Sequence, residues 1–209
     1  MKGSQSREQS ERIYLDLPLL SPSRPDWAER AAGRLDIFLA DHAVCEQQAA
    51  LTALNLVAHY PEDDELVERM TGLAAEEVTH LRRVTTLMRR RGLRLMRRRP
   101  NPYVRGLRER VRSQAEPRLK IDRLVVGTLI EARSCERFSK LLEVIDTRDA
   151  EVADLLADLG PAERRHWVMF HRLAAREAEP VWFETHWREW LEYEDRLIAE
   201  RGDSPRVHG

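Results

Sequence analysis

Two Glu-x-x-His pairs, Glu77 with His80 and Glu163 with His166, stand 86 residues apart, and a glutamate precedes each at nearly the same interval. Glu46 lies 31 residues before Glu77, and Glu131 lies 32 before Glu163. A chain of 209 residues with 23 glutamates and 7 histidines yields about one such pair by chance, so a single pair carries little. Two pairs in matching frames describe a repeat of helix pairs, and their flanks indicate which way the acids point. On a helix, residues three, four and seven positions apart share a face. Glu46 is flanked there by Leu39, His42, Ala43, Ala49, Ala50 and Ala53, and Glu77 by Met70, Leu73, Ala74, Leu81 and Val84. Glu131 has Leu124, Gly127, Thr128, Ser134, Cys135 and Phe138, and Glu163 has Leu156, Leu159, Trp167 and Phe170. All four acids therefore lie on core-facing stripes.

The surrounding pattern supplies the helices that such stripes require. Apolar residues at helical spacing predict one helix from Asp26 to Tyr60 and a second from the acid cluster after Pro61 to about Gly92. A third is predicted over Leu119 to about Ile145, a fourth over about Asp149 to Ala178, and a fifth over about Val181 to Arg201. Residues 93–118 read as a long arginine-rich crossover connection with room for a short helix. The expected fold is all-α: a four-helix bundle with a long crossover and an extra C-terminal helix. One domain is expected over residues 1–209, with 1–16 a flexible tail and Leu17 to Pro25 an extended strap. A 34% charged content with nine glycines and ten prolines fits long amphipathic helices, and a net charge of −1 excludes a chain that binds polyanions over its whole surface. No window approaches the roughly 18 apolar residues of a membrane span, and Cys45 and Cys135 lack metal-site or disulfide spacing. The expectation is a cytoplasmic protein that does not enter the membrane.

Buried carboxylates without compensation are too costly to keep, so four of them with two histidines imply cations in the interior. Ferritin-like di-iron and di-manganese sites use this set: one Glu from each of two helices and Glu-x-x-His from each of the other two. Bridging carboxylates balance the charge of two metals, and each imidazole fills a terminal position. Glu136 serves as a comparison. Its face carries Ala132, Arg133, Ser139, Lys140 and Glu143 and reads as solvated, so Glu131 is preferred as the ligand. His42, one turn before Glu46, is either a hydrogen-bonded core histidine or a partner that orients Glu46. The two cysteines read as small core residues, and the tryptophans between Trp167 and Trp190 as packing for the fifth helix. Pro161, two residues before Glu163, is expected to kink or restart the fourth helix.

From Arg82 to Arg118 there are fourteen arginines, no lysine and only two acids, Glu109 and Glu116. A charge run is often only a solvated face, and cations suit a helix C-terminus. The sharper reading is RNA binding. Arg89, Arg90, Arg91, Arg97, Arg98, Arg99 and Arg105 would meet phosphates, with Tyr103 stacking on a base.

The blocks DHAVCEQQAA around Glu46, EEVTHL around His80, IEARSCERF around Glu131 and AERRHWVMF around His166, with the terminal PRVHG, resemble the MiaE family of tRNA hydroxylases, which are ferritin-like di-iron monooxygenases. The resemblance runs from about Leu17 to the end of the chain. It implies hydroxylation of the isopentenyl group of 2-methylthio-N6-isopentenyladenosine at tRNA position 37. It also implies two iron ions, with manganese possible, held by Glu46, Glu77, His80, Glu131, Glu163 and His166, with no catalytic residue beyond these ligands. Dioxygen would be the co-substrate, tRNA the partner, and a reductase or ferredoxin type of protein the external electron donor. A monomer or weak homo-oligomer is expected. The alternative reading is another ferritin-like di-metal oxidoreductase, a peroxidase, manganese catalase or iron oxidase, that does not act on RNA; a helical binding protein without metal is a third.

Overall fold

A computed structural model describes residues 17–97, 101–111, 115–202 and 204–208. Among the described residues the secondary structure is entirely helical: α1 Trp27–Ala32, α2 Leu35–His59, α3 Asp64–Arg90, α4 Pro102–Arg110, α5 Arg118–Ile145, α6 Ala150–Ala175 and α7 Pro180–Arg201. They fall into two compact units, one drawn from Arg34–Arg99 and the other from Met1–Gly33 with Pro100–Gly209. The tail expected over residues 1–16 lies outside the described residues.

The unit Arg34–Arg99 is a hairpin of α2 and α3. Asp63 caps α3 by accepting a hydrogen bond from Leu66 N, and Asp64 and Glu65 face the positive end of the helix dipole. Gly92 follows the C-terminus of α3 at φ +69°, a left-handed conformation that glycine adopts without strain. Phe38, Leu39, Ala43 and Ala53 of α2, with Leu66, Met70 and Val84 of α3, are fully buried and form the unit's core.

In the other unit α5 packs along α6, α1, α4 and α7 lie against α5, and α4 also lies against α7. Asp149 caps α6 through Val152 N, Glu179 caps α7 through Val181 N and Trp182 N, and Asn101 caps α4 through Val104 N ahead of a first-turn proline. The extended strap crosses α5: Ser23 donates from both its backbone N and its Oγ to Glu136, and Ser21 O accepts from Arg133.

Two expectations change. The first predicted helix is two, because Gly33 closes α1 and Arg34, at φ −139° and ψ 50°, leaves the helical region before α2 begins. Conversely, α6 does not restart at Pro161 but continues through it as one helix. Pro161 and Ala157, whose carbonyl the ring deprives of a donor, both lie on the exposed face, where that carbonyl is open to solvent.

Candidate metal centre

In the unit Arg34–Arg99, α2 presents Glu46 and α3 presents Glu77 and His80. One ligand atom from each lies within 4.8 Å of those of the other two. His80 Nδ1 is 3.4 Å from Glu77 Oε2 and 3.8 Å from Glu46 Oε2. All three side chains are buried, Glu77 most deeply. His42, also buried, hydrogen-bonds Glu46 Oε1 through Nε2, so it is at once a hydrogen-bonded core histidine and a partner of Glu46. Burial opposes charge on Glu46, but His42, with a contribution from His80, outweighs it and holds the carboxyl well below its ordinary range. His80 responds to the same field: burial disfavours its cation, yet Glu46 and Glu77 push its pKa up to about 9. Positive charge is stabilised beside these carboxylates.

The second unit repeats the set. Glu131 comes from α5 and Glu163 and His166 from α6, again with ligand atoms mutually within 4.8 Å. His166 Nδ1 is 3.8 Å from Glu131 Oε2, and all three are at most 6% exposed. Each triad is thus two buried carboxylates and one imidazole that turns Nδ1 toward an acid. Two carboxylates so close and so dry repel each other unless a cation lies between them, and oxygen with imidazole donors suits iron or manganese. The residues fit a metal.

Cys135 is the core residue expected of it: burial pushes the thiol up to about 12 against the opposing pull of Arg164, so it stays protonated. Two other expectations are corrected. Glu136 is not solvated; it is 2% exposed, accepting from Ser23 and from Arg133 at 3.2 Å. Tyr103 cannot stack on a base, because it is 0% exposed, its hydroxyl donates to Glu194 at 2.9 Å, and its ring lies parallel to that of His208. Sequence reading missed this buried web of Arg133, Glu136, Glu194 and Tyr103. Its one local signal was the i,i+3 spacing of Arg133 and Glu136.

Of the other RNA-binding candidates, Arg89, Arg90, Arg97 and Arg105 are exposed and Arg91 is half-buried. Arg105 pairs with Glu109 at 3.2 Å. Arg98 and Arg99 lie outside the described residues. Two further arginines of the segment hold helices together: Arg110 lies over the rings of Trp190 and Tyr193, and Arg118 over Trp182.

A solved structure described as Protein 43 with aldehyde deformylating oxygenase activity, from Synechococcus, is similar to this chain with a TM-score of 0.84 at 29% identity, covering 91% of this chain and 95% of that one. Fold and donor sets together define a ferritin-like oxygenase whose buried carboxylates and imidazoles fit a di-metal site. The family profile for tRNA-(MS[2]IO[6]A)-hydroxylase (MiaE) matches residues 15–209, and the chain belongs to this family. A relative from Pseudomonas putida, named tRNA 2-(methylsulfanyl)-N(6)-isopentenyladenosine(37) hydroxylase, is 40% identical over 77% of this chain and 76% of its own. A protein of the same name from Salmonella typhimurium is 28% identical over 73% of each chain.

Proposed function

We propose that this protein hydroxylates the isopentenyl side chain of 2-methylthio-N6-isopentenyladenosine at position 37 of tRNA, with two iron ions, dioxygen and electrons from an external reductase or ferredoxin type of donor. The observation that carries the reading is the duplicated buried Glu–Glu–His triad in a chain of the MiaE family. Glu46, Glu77 and His80 would hold one metal, and Glu131, Glu163 and His166 the other, with manganese an alternative occupant. Bound iron would supply the redox chemistry for dioxygen. The chain's own part is to fix the ligands, as His42 would for Glu46, and to exclude water with buried apolar side chains on the same helix faces, such as Leu73, Val84, Leu124 and Phe170.

The exposed Arg89, Arg90, Arg97 and Arg105, with Arg91, Arg98 and Arg99, are the proposed phosphate contacts, and Tyr103 leaves that set. No described helix is long and apolar enough to cross a membrane, and with tRNA as its substrate we take the enzyme to work in the cytoplasm. We take the chain to work as one domain and as a monomer or weak homo-oligomer. Nucleoside analysis of tRNA from a deletion strain in a host that makes the precursor tests the reaction. Loss of the hydroxylated nucleoside with accumulation of its precursor is expected. An unchanged ratio, or peroxide turnover or iron oxidation without RNA as the main activity, would overturn it.

A further inference from the structure

Residues 204–208 are tied to the helix that carries Glu131. Arg137 of α5 donates to the carbonyls of Gly202, Arg206 and Val207, and Trp27 Nε1 donates to those of Ser204 and Arg206. Held in this way, Val207 and His208 are at most 1% exposed. His208 Nε2 lies 2.9 Å from Ser134 Oγ and 3.2 Å from Ile130 O, and its ring stacks on Tyr103 of α4 at 5.8 Å with 7° between the planes. A carbonyl oxygen can only accept, so Nε2 carries the proton that reaches Ile130. Ile130 and Ser134 bracket Glu131 within one helical turn.

We propose that His208 is a positioning residue for the metal site: its Nε2–H bonds to Ile130 O and Ser134 Oγ fix the rotation of α5 about its axis and so place the Glu131 carboxylate. A carboxylate stands several ångströms off its helix axis, so a turn of only about 10° moves it by about 1 Å, as large as the errors that disable metal and catalytic sites. A single side chain thereby joins the C-terminal segment, helix α4 of the arginine-rich connection and the turn holding Glu131. The inference rests on the reading of Glu131 as a ligand.

The test compares full-length wild type with His208→Gln, whose amide reaches the place of Nε2 and donates there. His208→Phe keeps the stacked ring and loses the donor, and His208→Asn keeps polarity but falls short. Each is loaded with cobalt(II) alone, and its ligand-field spectrum, metal affinity and metal-free melting temperature are recorded. A shifted spectrum and an affinity weakened about tenfold in the Phe and Asn variants, with the Gln variant restored to wild type, is the expected result. Spectra and affinities that match wild type in the Phe and Asn variants overturn the proposal, as does a Gln variant no better than either; should the Phe variant not fold, the Gln and Asn pair decides alone. Glu131→Gln, loaded in parallel, reads the ligand assignment separately: an unchanged spectrum there removes Glu131 from the metal and overturns the proposed ligand set.

Discussion

Glu131 and Glu136 stand five residues apart on α5 and are both buried, yet their neighbours differ in kind. Glu131 faces Glu163 and His166, a second carboxylate and an imidazole. Glu136 is compensated within the chain by Arg133, by Lys140 at 3.7 Å and by both donors of Ser23. The consequences of removing each therefore separate. Glu131→Ala takes away a ligand and relieves a repulsion, so the expected outcome is a folded protein with less bound metal by elemental analysis and no hydroxylation. Glu136→Ala leaves Arg133 with the Glu194 carboxylate and the Ser21 carbonyl and strands the Ser23 donors in the interior, a loss of about 3 kcal/mol in chemical denaturation. The metal per folded Glu136→Ala chain should stay at the wild-type value; a folded variant without metal would show the two acids' roles to be reversed.

At the scale of elements, the approach of α5 to α6 depends on Gly127, one turn before Glu131. A Cβ there would meet the Phe170 ring at 2.8 Å, whereas a Cβ at Gly72 of α3 meets nothing within 4 Å. Gly127→Ala should cost about 1–3 kcal/mol by forcing that ring aside. Gly72→Ala should gain about 0.5–1 kcal/mol through helix propensity, both read from thermal melting. The contrast also shows what a sequence can display. Helical periodicity and local end signals placed α3, α5, α6 and α7 to within about three residues at each end, because each is a local property of the chain. The break at Gly33 was hidden because apolar spacing continues across it. The continuity of α6 at Pro161 depends on which face meets water, and the burial of Glu136 and Tyr103 on partners 113 and 91 residues away. The two triads were legible since each joins an i,i+3 pair to an acid one helix upstream, a pattern that needs no tertiary information beyond the hairpin.

For the molecule as a whole, the proposed metal and tRNA would each act on a concentration of like charges. The carboxylates of each triad are held close in dry surroundings, so stripping the metal with a chelator should lower the melting temperature by several degrees, and restoring iron or manganese should recover it. On the outside the logic is reversed. A net charge of −1 gives the chain no general attraction for tRNA, so the proposed phosphate contacts fall on the segment where fourteen arginines gather. Part of that segment is committed elsewhere, since Arg110 and Arg118 are stacked on the tryptophans of α7. Neutralising Arg97, Arg98 and Arg99 together by glutamine leaves those stacks in place. Every phosphate that the protein ceases to neutralise takes about 0.7–0.9 from the slope of log affinity against log salt. Three such arginines should therefore flatten it by about 2–3, with weaker binding at low salt and an unaltered melting temperature. Titrations of tRNA at several salt concentrations measure the slope directly, and one unchanged by the triple substitution would move the RNA interface away from this segment.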